Sequence, residues 1–336
     1  MNMNYLLYLA ILGIIATASA LVLTRLLIYI MPKFGIVDVP STRRIHKGAT
    51  PRGGGLSFVI VLTILLPLAE FFFSGTVFGS VELLKIFLPL CLVSFWDDIS
   101  HALIPIRLFI QILCSCLAIM WLIHPSTILH DEIPIFLDLV IGAFALLSFL
   151  NVYNFLDGID GITVSESIHL SCTILLLCML RYDIIPNVDM VIAIATIILG
   201  WSAGFIYFNW QPAKIFLGDV GSISLGFLLG ICLLTIASAD ANLFVACFIS
   251  ALYHIADGSI TILIRMIKGE KIWEPHLQHF FQKSVSNGRS HKRVVKRIMK
   301  CNILLMLFAA NALYYPIISV IGGLLVVGIT LIRSVA

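Results

Sequence analysis

The sequence predicts an all-α polytopic membrane protein. Three observations carry that prediction. Of the 336 residues, 60% are hydrophobic and only 12% charged, with a mean hydropathy of +1.07, whereas a soluble domain carries roughly 25% charged residues. Eleven apolar runs approach or exceed the length a helix needs to cross the hydrocarbon core, about 20 residues. The lysines and arginines gather in two connections instead of scattering. The net charge of +3 therefore matters less than where the positive residues fall, and no nucleic-acid partner is expected.

The first run, 5–30, has no basic segment before it and is long enough to span, so it reads as a helix and not a cleaved signal. The second, 53–73, opens on Gly53-Gly54-Gly55, and the third, 81–96, runs into Asp97-Asp98. The fourth is 108–124. The fifth, 134–151, passes directly into an amide- and acid-rich segment. The sixth and seventh are 164–181 and 189–208, and the eighth, 221–239, follows Gly218-Asp219. The ninth, 243–266, carries Asp257 and Arg265, and the last two, 302–316 and 318–334, are short and meet near Pro316, where they could form one broken hairpin. The eight cysteines form no CxxC pair and nearly all lie inside these runs, as small buried hydrophobes would. The chain reads as one integral membrane domain, 1–336, with a basic loop, 267–300, inside it.

The connections 31–52 and 267–300 hold fourteen of the twenty-one Lys and Arg, which makes both cytoplasmic. Eight spans separate them, an even number, as that requires. The N-terminus is then periplasmic and the C-terminus cytoplasmic. By the same count Asp97-Asp98 and the segments 151–161 and 209–221 are cytoplasmic too. Five polar segments far apart in sequence converge on one face, as a single active site requires.

Asn151-Val-Tyr-Asn154-Phe-Leu-Asp157-Gly158-Ile-Asp160-Gly161 puts two amides and two carboxylates in eleven residues. Lipid cannot hydrogen-bond such groups, so they stand at its edge for a purpose. Their spacing of three would align them along a helix face, and the glycines would let a ligand approach the backbone; the alternative is a polar loop with turn glycines. In Asp97-Asp98 adjacent carboxylates repel unless a cation or proton stands between them, so the pair reads as magnesium-binding or phosphate-activating, or else as a solvated helix end. Gly218-Asp219-Val-Gly221-Ser222, opening a helix, suits phosphate and its magnesium, with an ordinary N-cap as the alternative. The loop 38–55 joins Arg43, Arg44, His46, Lys47 and Arg52 to three glycines whose N–H groups suit a diphosphate; topogenic charge alone is the alternative. Late in the chain come Asp257, Arg265, Pro275, His276, His279 and Gln282, then a basic stretch from Arg289 that anionic lipid would also attract.

In this order, D-x-P-x-x-R-R-x-H-K-x-x-T-P-R-G-G-G (38–55), D-D (97–98), N-x-x-N-x-x-D-G-I-D-G (151–161), F-N-x-x-P-A-x-x-F-L-G-D-x-G-S (208–222) and D-x₇-R-x₃-G (257–269) before P-x-x-x-H (275–279), the motifs resemble those of the polyprenyl-phosphate N-acetylhexosamine-1-phosphate transferases, of glycosyltransferase family 4 type. The resemblance covers roughly residues 35–300. It implies attack of a polyprenyl (undecaprenyl) phosphate on the β-phosphorus of a UDP-sugar, with release of UMP. It implies Mg²⁺, or Mn²⁺ in its place, on Asp219, and Asp97 and Asp98 as catalytic carboxylates. Direct in-line attack, with Asp97 taking any proton from the lipid phosphate, is the expected mechanism, and a covalent aspartyl-phosphate on Asp98 is the alternative. Lys47, Asn154, Asp157, Gly158, Asp160 and Asn209 would hold the nucleotide, with Phe216 stacked on the base. Arg52, Arg265, His279 and Gln282 would face the sugar diphosphate. The family includes dimers, so a homodimer is among the expected assemblies, in the bacterial inner membrane.

Many relatives carry H-x-H-H where this chain has His279-Phe280-Phe281-Gln282. That resembles the branch that initiates O-antigen in lipopolysaccharide and related cell-envelope glycans, and the apolar Phe281 suggests a 6-deoxy sugar whose methyl it would cover. Rival readings are weaker. A UbiA-like prenyltransferase needs a second acidic cluster, and His101 stands where a D-D-x-x-D motif needs Asp. An intramembrane aspartyl protease needs G-x-G-D, where 216–219 read F-L-G-D. A transporter would place its polar groups near the midplane, not at span ends.

Overall fold

The computed structural model describes residues 3–38, 49–72, 79–100, 102–123, 128, 133–271 and 276–335. Its helices follow the apolar runs. They are α1 (Met3–Ile30), α2 (Leu56–Phe72), α3 (Ser80–Ser100), α4 (Ile104–Ala118), α5 (Ile135–Phe155), α6 (Ile162–Leu180), α7 (Val188–Asn209), α8 (Asp219–Ala237), α9 (Ala241–Ser250), α10 (Leu252–Ile267), α11 (Phe280–Ser286), α12 (His291–Ala312) and α13 (Pro316–Val335). The one sheet among the described residues pairs Val37–Asp38 (β1) with Thr50–Pro51 (β2), antiparallel. Among the described residues seven helices are long and apolar enough to cross a membrane, and α9 with α10, taken as one bent span, makes an eighth. The apolar α2 has 17 residues, and α3 and α12 carry charged ends. The all-α membrane architecture read from the sequence is borne out.

The expected ninth span is broken. α9 and α10 meet at Ala251 with a bend of 66°. The basic loop is partly helical: α11 lies within it, and α12 begins at His291, eleven residues before the expected span.

α8 is the centre. Nearly all of its residues are buried, and it packs against α2, α3, α5, α6, α7 and α9. The outer helices α1, α4, α5 and α13 instead expose large apolar side chains such as Phe109, Phe144 and Ile317, the face lipid would cover. With lipid as apolar as leucine, helices are drawn together by close packing of small residues. At Gly204 on α7 an added Cβ would lie 2.6 Å from Thr17 O and 2.8 Å from Ala20 Cβ on α1. One turn earlier an added Cβ at Gly200 would overlap Gly13 O, and Thr17 Oγ1 donates to Gly200 O at 2.8 Å. The small-xxx-small spacing lets the two backbones meet.

Alternating helix directions bring the start of α2, the end of α3, the start of α4, the ends of α5 and α7 and the starts of α6, α8 and α12 to one end of the bundle. α13 finishes there too: Arg289 Nη1, just before α12, donates to Arg333 O at 2.9 Å and Ser334 O at 3.1 Å.

Candidate active site

At that end lies a cavity of about 300 Å³, lined by Arg52, Asn154, Asp157, Asp160, Phe216 and Asp219 among others. Its wall starts from a backbone junction. Gly54 N donates to Phe216 O at 2.9 Å, Gly55 N to Leu217 O at 2.8 Å, and Phe216 N to Pro51 O at 2.8 Å. An added Cβ on Gly55 would overlap the backbone of Gly221, so glycine is needed for this approach. The triple glycine thus seats α2 against the start of α8. The expectation that its N–H groups cradle a diphosphate is corrected: those of Gly54 and Gly55 are already bonded to backbone carbonyls.

The start of α8 is likewise taken. Asp98 Oδ1 accepts from Asp219 N at 2.8 Å and Asp98 Oδ2 from Val220 N at 3.0 Å. A carboxylate satisfying first-turn N–H groups and facing the helix dipole stabilises that end. Gly218, with φ +78°, brings the chain so close that a Cβ would lie 2.6 Å from Asp98 Oδ2. The N–H groups expected to receive phosphate are therefore bound to Asp98, whose side chain has no solvent exposure. Asp98 is a clasp between α3 and α8, which argues against its expected catalytic part and against a phosphorylated intermediate on it.

Two arginines bind the acids together. Arg52 Nε lies 2.9 Å from Asp98 Oδ1, and its Nη2 donates to Asp219 Oδ1 at 2.6 Å. Burial would lower the Arg52 pKa, but the carboxylates of Asp98 and Asp219 outweigh it and the pKa is raised. Arg107 Nη1, at the start of α4, pairs with Asp97 Oδ2 and reaches Asp219 Oδ2 at 3.5 Å. Asp97 thus touches the site through Arg107 and is not part of the cavity lining. Asp219 is the acid of this cluster that faces the cavity, with its side chain 19% exposed.

The opposite wall comes from the α5–α6 connection. Contrary to the expected helix face, α5 ends at Phe155, so only Asn151 and Asn154 are helical. Asn151 turns away, donating to Gln111 Oε1 at 3.0 Å. Asn154 Oδ1 accepts from Ser222 Oγ at 2.5 Å. Asp157 accepts from Thr163 Oγ1 at 2.6 Å, and burial pushes its carboxyl up to about 6. Asp160 Oδ2 accepts from Ala213 N at 3.1 Å, and its Oδ1 lies 3.4 Å from His291 Nδ1. Asn209 accepts from Gly161 N at 3.1 Å and donates to Ile215 O at 3.0 Å, locking the two loops together.

The late-chain residues divide. Gln282 and Leu277 line the cavity. His279 does not: it is 2% exposed, with Nδ1 3.1 Å from Asp257 Oδ1, and it forms the capping box of α11 with Gln282. Arg265 is buried on Glu270, its Nε 2.9 Å from Oε2, and on Lys271 O at 2.7 Å, outside the cavity lining. Phe281 is fully buried, its ring stacked on His279 and close under Gly158, so it presents no surface to a sugar. Lys47 lies outside the described residues. Arg107 was not foreseen; one arginine heading an apolar run is ordinary topogenic charge, although its connection to Asp97-Asp98 is short.

The site is thus an acid- and arginine-lined cavity at one end of an all-helical membrane bundle, a lining whose charges suit phosphate. Comparison with known proteins shows what the chain resembles. Residues 81–237 match the family model of glycosyl transferase family 4. The chain is 23% identical over 304 residues, 84% of its length and 78% of the relative's, to a probable undecaprenyl-phosphate N-acetylglucosaminyl 1-phosphate transferase of Bacillus subtilis (strain 168). It is 26% identical over 314 residues, 80% of its length and 81% of the relative's, to a phospho-N-acetylmuramoyl-pentapeptide-transferase of Orientia tsutsugamushi (strain Ikeda). The motifs and these matches point the same way, to similarity with the polyprenyl-phosphate hexosamine-1-phosphate transferases.

Proposed function

We propose that this protein transfers an N-acetylated hexosamine 1-phosphate from a UDP-sugar to a polyprenyl phosphate. The carrying observation is Asp219, exposed to the cavity and bridged by Arg52 and Arg107 to Asp98 and Asp97. A site that turns over a diphosphate needs cations for the phosphates and a carboxylate for the metal that accompanies them. The acceptor's route is supported by a second cavity of about 300 Å³, apolar and lined by Phe149 and Val152 of α5, Leu233 of α8 and Phe248 and Ile255 of the bent pair.

In the reaction an oxygen of the lipid phosphate attacks the β-phosphorus of the UDP-sugar. The bond from that phosphorus to the oxygen bridging to the α-phosphate breaks, and UMP leaves with the electron pair. One phosphoanhydride forms as one is lost. Asp157 and Asn154 face the donor, Gln282 and Leu277 the sugar side, and the guanidinium group of Arg52 the phosphate oxygens, with Arg107 behind it on Asp219. Asp97 orients Arg107. The cytoplasmic side, with the N-terminus across the membrane, follows from the positive loops.

For Mg²⁺, or Mn²⁺ in its place, the donor chemistry fits: Asp219 offers carboxylate oxygens, and Mg²⁺ takes one or two carboxylates with phosphate oxygens and water. Among the described residues no group of three or more His, Cys, Asp or Glu could hold a metal without those extra ligands. When bound, the ion would neutralise charge building up on the diphosphate.

Both relatives' names specify N-acetylated hexosamines, and burial of Phe281 removes the basis for a 6-deoxy preference, so UDP-GlcNAc and its epimers are the first donors to try. The lipid-linked product would start an O-antigen or another envelope glycan. UMP release from a UDP-HexNAc panel, with mass spectrometry of the lipid product, tests this reading. Release that needs undecaprenyl phosphate supports it; solute transport without release would favour a transporter. Light scattering in detergent decides whether two copies pair.

A further inference from the structure

Deep in the bundle lies a polar cluster that the reaction does not touch. Glu166 of α6 is 1% exposed, and His254 of α10 and Asn302 of α12 are each 2% exposed. Asn302 Nδ2 donates to Glu166 Oε2, and Glu166 Oε1 lies 3.0 Å from His254 Nδ1. That contact is close but poorly aligned, for neither atom makes a well-directed hydrogen bond. The His254 ring stacks on Tyr153 of α5 at 5.5 Å. Beside it His169 Nε2 sits 3.0 Å from Ser250 O, where α9 breaks from α10. Three helices thus meet on one buried carboxylate, and α5 stacks against its histidine.

Three residues further along α10, Asp257 shares a face with His254. Asp257 Oδ1 accepts from Phe280 N at 3.1 Å and lies 3.1 Å from His279 Nδ1. His279 N donates to Gln282 Oε1 at 3.1 Å, and Gln282 lines the cavity together with Leu277. Through α10, which carries both His254 and Asp257, a path therefore leads from Glu166 to the sugar side of the site. An ionisable group inside a membrane bundle costs stability unless paired, and packing alone would be met by a leucine.

We propose that Glu166 is a positioning residue: holding His254 and Asn302, it sets the rotation of α10 and, through Asp257, the placement of Leu277–Gln282 at the cavity. The inference rests on the transferase reading, and its test keeps the two apart. The assay is lipid-dependent UMP release with the UDP-HexNAc that the wild type uses best. Glu166→Leu should raise KM for that donor ~5-fold or more while kcat stays within ~2-fold, the signature of lost ground-state binding. Glu166→Gln keeps an acceptor for Asn302 and a polar atom beside His254, and should restore KM to within ~2-fold of wild type. Replacing a buried pair by apolar residues is often neutral or stabilising, so the double variant Glu166→Leu with His254→Leu should fold and show the same raised KM. A wild-type KM in either leucine variant overturns the proposal. So does a double variant that does not fold, which would make the cluster a stability element, and so does a glutamine variant as impaired as Glu166→Leu. Each of these failures leaves wild-type turnover intact, whereas a wild type that releases no lipid-dependent UMP overturns the transferase reading itself.

Discussion

Adjacent, chemically identical side chains have been given different tasks by their directions on one helix. Asp98 turns to the backbone of α8, Asp97 to Arg107. Asp98→Ala would leave Arg52 and two N–H groups without their buried partner, a change that typically costs ~3–5 kcal/mol; thermal unfolding in detergent should show it. No burst of UMP should appear in wild-type enzyme without lipid acceptor, and a stoichiometric burst would restore Asp98 as a nucleophile. Asp219→Asn should lower turnover at least ~10²-fold at every Mg²⁺ concentration with the fold retained; near-normal turnover would remove the metal from Asp219. Asp157 gives a pH signature. Its folded pKa of about 6 lies above the ordinary carboxylate value, so between those pH values the folded state holds more proton than the unfolded one and stability falls as pH rises. Asp157→Asn should therefore raise the unfolding midpoint by ~1–3 °C at pH 7.5, and the gain should vanish as pH drops toward 4. A constant difference across that range would refute the assignment. Arg52, Asn154, Asp157, Asp160 and Asp219 were legible in the sequence because a polar group beside an apolar run has little other reason to be there. The division between Asp97 and Asp98 was not, nor was the burial of Phe281, since direction depends on tertiary contacts.

Among the elements, glycine contacts decide how close helices come. Gly200→Leu would force α1 off α7, where a Cβ already overlaps Gly13 O; overpacking of this kind costs ~1–3 kcal/mol or more, and the unfolding midpoint should fall with turnover lost only as the fold is lost. Gly55→Ala is different, because its Cβ strikes Gly221 next to Asp219. Turnover should drop even in protein that remains folded, and an active Gly55→Ala variant would show that the junction tolerates movement. Apolar length made nearly every helix readable in advance. The break at Ala251 was not readable, because no proline or glycine occurs between residues 241 and 257; the bend is held by tertiary contacts such as His169 with Ser250 O. The helical start of the basic loop was hidden for a related reason: charge says where water is, and α12 begins in water.

At the scale of the whole molecule, the convergence of the five polar segments came from counting spans, and the described parts of those segments do share one end of the bundle. What counting could not supply is which helix lies in the middle, since nothing in composition separates α8 from the outer helices α5 and α13. That central place bears on how the chain is made. Synthesis runs from the N-terminus, so α1 to α7 enter the bilayer before α8 exists, and the small faces meant for it meet lipid or one another in the meantime. The two walls of the cavity, one ending at Asp98 and the other at Asn154, have no common partner until Asp219 and Ser222 arrive between them. The two walls are thus joined in one late step of membrane insertion, before Leu277 and Gln282 complete the lining, and a nascent chain halted before α8 would display the separated halves of a site with nothing to join them.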